Sequence, residues 1–128
     1  MSERPPGPPI EWFLDGTIDR RKLDSYLLSE THHLGHHKAR LWQSVFGIGP
    51  EDADLLDALI RQHLPQAKPD EKEGWRIGTT PEQIVRRWEL IIPHFRGPDG
   101  HEEAVLTAWA LTPAASRPHL TTTAYPLV

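Results

Sequence analysis

Apolar residues recur with helical spacing in the first half of this chain and with strand-like spacing in the second. Leu23, Tyr26 and Leu27 fall at i, i+3 and i+4 behind Asp19, a residue type that caps helix N-termini, and predict a short amphipathic helix ending near Ser29. After a loop around Gly35, residues Ala39, Leu41, Trp42, Val45 and Phe46 share helical spacing up to Gly47, predicting a second helix from His36 to Phe46. A third is predicted from Pro50 to Leu64. Pro50 suits its first turn, Glu51 and Asp52 complement its positive end, and Leu55, Leu56, Leu59 and Ile60 form its core stripe.

Beyond Leu64 the composition changes. QAKPDEKEG reads as a charged connector, with a short strand between Trp75 and Thr79 as an option. Residues 83–95 place Ile84, Trp88, Leu90 and Ile92 on one face of a strand and Arg87 and Glu89 on the other, with Pro93 marking an edge or bulge. Gly97, Pro98, Asp99 and Gly100 are turn residues, so 103–111 predicts the second arm of a hairpin, and the threonines of 119–125 favour a last strand. The pattern therefore predicts an α+β fold, about three N-terminal helices packed on a three- to four-stranded antiparallel sheet. Four prolines among the first nine residues predict a flexible arm, taken as residues 1–17, ahead of a single domain over 18–128.

At 128 residues, 38% hydrophobic and 25% charged, the chain is the size of one domain with a core of its own. It has no cysteine, which removes thiol nucleophiles and cysteine-held metals. No apolar run is long enough to span a membrane and the start lacks a secretory pattern, so a cytoplasmic protein is expected. The formal charge of −4 argues against indiscriminate nucleic-acid binding, but protonating all eight histidines would carry it to +4.

The densest chemistry lies in THHLGHHKAR, where His32, His33, His36, His37, Lys38 and Arg40 stand within nine residues. Three readings are open. The i, i+4 pairs His32/His36 and His33/His37 can place two imidazoles on one helical face for a metal, although Gly35 interrupts that helix. The run can also be a solvated helix start whose imidazoles meet backbone groups. The third reading is phosphate chemistry, with imidazoles exchanging protons and Lys38 and Arg40 neutralising charge. RNA transesterification needs a base, an acid and a charge clamp, and no cofactor. Strand residues can add donors: Arg87, His94 and Arg96 from the first strand and its exit, Thr107 from the second, and Thr121, Thr123 and Tyr125 from the third. Alternation puts the last three on one face, and Thr107 with Trp109 on one face of the neighbouring strand.

Taken in order, Lys22-Leu23, Tyr26-Leu27-Leu28, Gly35 with Lys38-Ala39-Arg40, Thr107 with Trp109, and Thr122 with Tyr125-Pro126 resemble an uncharacterised bacterial family of domains of unknown function. The resemblance spans about Lys22 to Pro126. More distantly, the layout is similar to the superfamily of small RNase toxins that includes barnase, EndoU, certain colicins and RelE-type proteins. That resemblance implies a metal-independent endoribonuclease without cofactor, paired with an antitoxin or immunity protein. It implies His37, Lys38, Arg40, Thr107, Thr122 and Tyr125 as catalytic residues, and the phosphate reading adds His33, His36, Arg87, Arg96 and Trp109 at the substrate. A noncatalytic antitoxin-like interaction domain and a His-ligated metal protein remain the alternatives.

Overall fold

The computed structural model describes residues 8–23, 27–29, 36–78, 80 and 83–128. Among the described residues, four helices, α1 (Ile10–Leu14), α2 (Arg20–Lys22), α3 (His36–Phe46) and α4 (Ala53–His63), precede four strands, with a 3-10 turn (Leu64–Gln66) closing α4. The strands β1 (Asp70–Arg76), β2 (Ile84–Arg96), β3 (Glu102–Leu111) and β4 (His119–Pro126) form one antiparallel sheet in the order β1-β2-β3-β4. The α+β class expected from the pattern is therefore the class observed.

The helical half packs on one face of that sheet. Trp88, Leu90 and Ile92 of β2, Val105 and Trp109 of β3 and Leu120 and Ala124 of β4 join Trp42, Phe46, Leu56 and Ile60 from α3 and α4 in a single core. Removing these side chains from water is the main favourable contribution to folding. Alternation then turns Arg87, Glu89, Ile91, Leu106, Ala108 and Ala110 to the opposite face, which no described helix covers.

Three local readings need adjustment. α4 begins at Ala53 rather than Pro50, because Asp52 accepts the Gly49 N–H at 2.8 Å and its own N–H returns to Gly49 O, folding Pro50 into the preceding turn. The charged connector is largely β1. An edge strand tolerates DEKE because charged side chains there reach water and discourage pairing with other chains; Arg86 of β2 grips Glu71 with two bonds of 2.9 and 2.8 Å. Finally, residues 10–14, assigned to the arm by their proline-rich context, are helical and carry Phe13 fully into the core. Phe13 meets Trp88 and Trp109 edge-on at 5.5 and 5.8 Å, and Arg61 donates to the carbonyls of Leu14 and Gly16 at 2.7 and 3.1 Å.

Other features follow the pattern closely. Asp19 caps α2 by accepting the Arg21 N–H at 2.9 Å. Gly47 (φ 73°) and Gly100 (φ 85°) take the left-handed backbone that ends α3 and turns the β2–β3 hairpin. Pro93 lies within the register shift between Ile92 and Phe95. Among the described residues, no helix is long and apolar enough to cross a membrane.

Candidate functional site

The floor of the site comes from β3. Ala108 lines a groove of about 180 Å³ on the open face of the sheet. Ala110 follows it on the same face but is buried outside the groove, so Ala108 is the small residue that leaves space between the taller walls supplied by β2 and β4. Arg87 and Glu89 line one wall, Thr121, Thr122 and Thr123 the other, and Lys72 and Trp75 extend it over β1. His119 is the register partner of Ala110, so it shares that face at the β4 end of the row that starts at Lys72 and Arg87. Of the three charged side chains lining the groove, two are cations.

Two irregularities shape it. Lys72 and Trp75 would face opposite sides of a regular strand, but a register shift between them brings both to the groove. Gly74 makes the shift, since a Cβ there would come within 2.5 Å of Val85 O. On β4 a second shift sets three threonines opposite Ala108, where the Thr123 N–H donates to Thr121 Oγ1 at 3.1 Å. This irregular turn projects the Thr122 carbonyl toward the free edge of the sheet.

Helix α3 meets that edge. Lys38 Nζ donates to Thr122 O at 2.7 Å and Trp42 Nε1 to Ala124 O at 3.2 Å, while Lys22 Nζ donates to Leu120 O at 3.3 Å. Three alternate carbonyls of β4 are thus occupied by side-chain donors, which blunts the edge as a template for another strand. Burial lowers the Lys38 pKa below the usual lysine range.

The electrostatics of the groove follow from its neighbours. Lys72 bonds Asp70 at 2.7 Å, which raises its pKa and keeps it charged, and it stands 3.8 Å from Glu89. Arg87 is held by Glu73 O at 2.7 Å and lies over the Trp75 ring, 4.7 Å from its centroid. Burial first, and the Lys22 ammonium second, hold the His119 imidazole below the ordinary histidine pKa.

The residues singled out in the sequence are distributed as follows. Arg87, Thr121, Thr122 and Thr123 line the groove, and Trp109 contributes to its lining from below. Tyr125 pairs with Leu106 on the same open face, one row further along. Lys38 touches the threonine turn through its carbonyl, but Arg40, about 200° around the helix from Lys38, points away from β4 into solvent, so the two do not form one clamp. His37 is also exposed. Thr107, expected to be catalytic, and the ring of Trp109, expected at the substrate, are fully buried on the helix side. Thr107 Oγ1 donates to Leu90 O at 2.8 Å and accepts from Trp109 Nε1 at 2.9 Å, a pair that satisfies polar atoms inside the core. Arg96, nine residues beyond Arg87 on β2, sits beside Glu102 and His63 at the far end of the sheet. His32, His33 and Gly35, and the side chain of His36, lie outside the described residues. Among the described residues no three His, Cys, Asp or Glu side chains gather as a metal site.

Glu89, Lys72, Trp75 and His119 were not singled out as site residues from sequence. Only the alternation of Arg87 with Glu89 pointed toward them, because their proximity arises from pairing between strands far apart in the chain.

A four-stranded antiparallel meander with helices on one face and a polar groove on the other defines the architectural class. The chain belongs to the family described as Domain of unknown function (DUF6883), which it matches over residues 15–128. No curated protein and no solved structure matches it.

Proposed function

We propose that this protein is a small metal-independent endoribonuclease whose substrate phosphodiester lies over Ala108 on the open face of the sheet. The observation that carries the reading is the groove itself: a carboxylate, a guanidinium, an ammonium and threonine hydroxyls surround the small side chain of Ala108. Glu89 takes the proton of a ribose 2′-hydroxyl as the 2′-oxygen bonds to phosphorus. The bond from phosphorus to the 5′-oxygen breaks, and that oxygen leaves with a proton from the His119 imidazolium. Arg87 and Lys72 neutralise the pentavalent phosphorane, and Thr121 and Thr123 donate to its equatorial oxygens. Lys38 is a positioning residue that fixes the threonine turn from behind.

Incubating the purified full chain with single-stranded RNA in a chelator tests this reading. Fragments ending in 2′,3′-cyclic phosphate and beginning with 5′-hydroxyl are the expected result; intact RNA bound without cleavage would favour a noncatalytic interaction domain instead.

A further inference from the structure

The groove is the middle of a longer polar-to-apolar progression along the strands. Register places Ile91, Leu106 and Tyr125 side by side across β2, β3 and β4, two residues beyond Glu89. Residues two apart on a strand are separated by roughly 6.6 Å, so this apolar row lies immediately past the carboxylate. Ile91 is 47% exposed although it is a large aliphatic residue on a sheet face. At the other end, past Arg87, Trp75 is 52% exposed, with the Arg87 guanidinium stacked on its ring. Ile91 and Trp75 therefore offer apolar or flat surface to solvent at the two ends, with Leu106 buried beside Ile91, and the charged row lies between them.

We propose that these two surfaces bind the nucleobases on either side of the scissile phosphate, making the substrate class single-stranded RNA. This rests on the reading above and adds a polarity to it. Glu89 takes the proton of the 2′-hydroxyl, which belongs to the nucleotide 5′ of the cut, and Glu89 adjoins the Ile91, Leu106 and Tyr125 row. The 5′ base lies on that row. The nucleotide 3′ of the cut extends past Arg87, and its base stacks on Trp75. Bases locked in a duplex cannot splay apart to reach two separated platforms, whereas unpaired bases stack on aromatic rings with little regard to sequence. The positive row between the platforms complements the phosphate that joins them.

The test uses a labelled short 2′-fluoro RNA of mixed sequence, which has no 2′-hydroxyl and cannot be cleaved this way, alone and annealed to its complement. The full chain is expected to bind the single strand more tightly than the duplex; Trp75→Ala should weaken single-strand binding by about 10-fold, as loss of one stacking platform does, and Ile91→Ser, also at an exposed position, should weaken it by removing an apolar contact. Equal affinity for single strand and duplex, or two variants binding as wild type does, would overturn the proposal. Because the probe is uncleavable, this result is independent of whether the protein cuts RNA. Cleavage of unmodified RNA by both variants at the wild-type rate would likewise reject the platforms while leaving the cleavage reading in place.

Discussion

Glu89→Gln and His119→Ala are each expected to lower the RNA cleavage rate by about 10²- to 10⁴-fold, the usual contribution of a positioned general base or acid. Glu89→Gln keeps the volume and the hydrogen-bonding reach of the side chain but removes its ability to take a proton. Its effect should therefore fall on the chemical step, with binding of uncleavable RNA preserved. The two substitutions together should cost less than the product of the separate effects, because acid and base serve one transfer. The pH dependence carries a sign. His119 must be protonated to act as the acid, and its burial favours the neutral ring. The alkaline limb of the rate profile is expected below the pH of an ordinary imidazole and should vanish in His119→Ala. Rate profiles of the three proteins on one oligonucleotide provide the check, and a His119→Ala enzyme with the wild-type profile would remove His119 from the mechanism.

The second large effect concerns stability. Phe13→Ala is expected to destabilise the fold by about 3–5 kcal/mol, the range for deleting a fully buried aromatic side chain. Phe13 has no exposed surface and stands edge-on to Trp88 and Trp109, the residues adjoining Glu89 and Ala108 in sequence. A domain of this size holds on the order of 5–15 kcal/mol in total, so this loss removes a large share. Denaturant unfolding of wild type and variant measures it. A midpoint unchanged by Phe13→Ala would mean that residues 10–14 are not part of the cooperative unit, as their proline-rich neighbourhood suggests on first reading.

These two results bear on what the chain discloses before it folds. The bounds of α3 were legible because its stripe of Ala39, Trp42 and Phe46 is unbroken and Gly47 stops it with a backbone few other residues adopt. The β2–β3 hairpin was legible because Gly97 to Gly100 concentrates turn residues between two alternating runs. β1 was obscured by its edge position, where no hydrophobic alternation is required, and α1 because five residues are too few to show a period. The site was hidden for another reason. Glu89 and His119 are thirty residues apart, and their common face depends on the β2–β3 and β3–β4 registers and on a shift among the threonines that no local pattern announces. Thr107 shows the converse: a hydroxyl on a strand suggests a donor for substrate, but its alternation with Trp109 assigns it to the core, where the two satisfy each other.

The central claim is that the uncovered face of the sheet, rather than the solvent side of α3, meets the nucleic acid. Titrating the isotopically labelled full chain with uncleavable single-stranded RNA and following its backbone amide resonances distinguishes these surfaces directly. Saturable shifts at Arg87, Glu89, Ala108, Ala110 and His119, with Arg40 and Ser44 unmoved, are predicted. Shifts concentrated on Arg40 and Ser44 while the sheet amides stay in place would contradict the account.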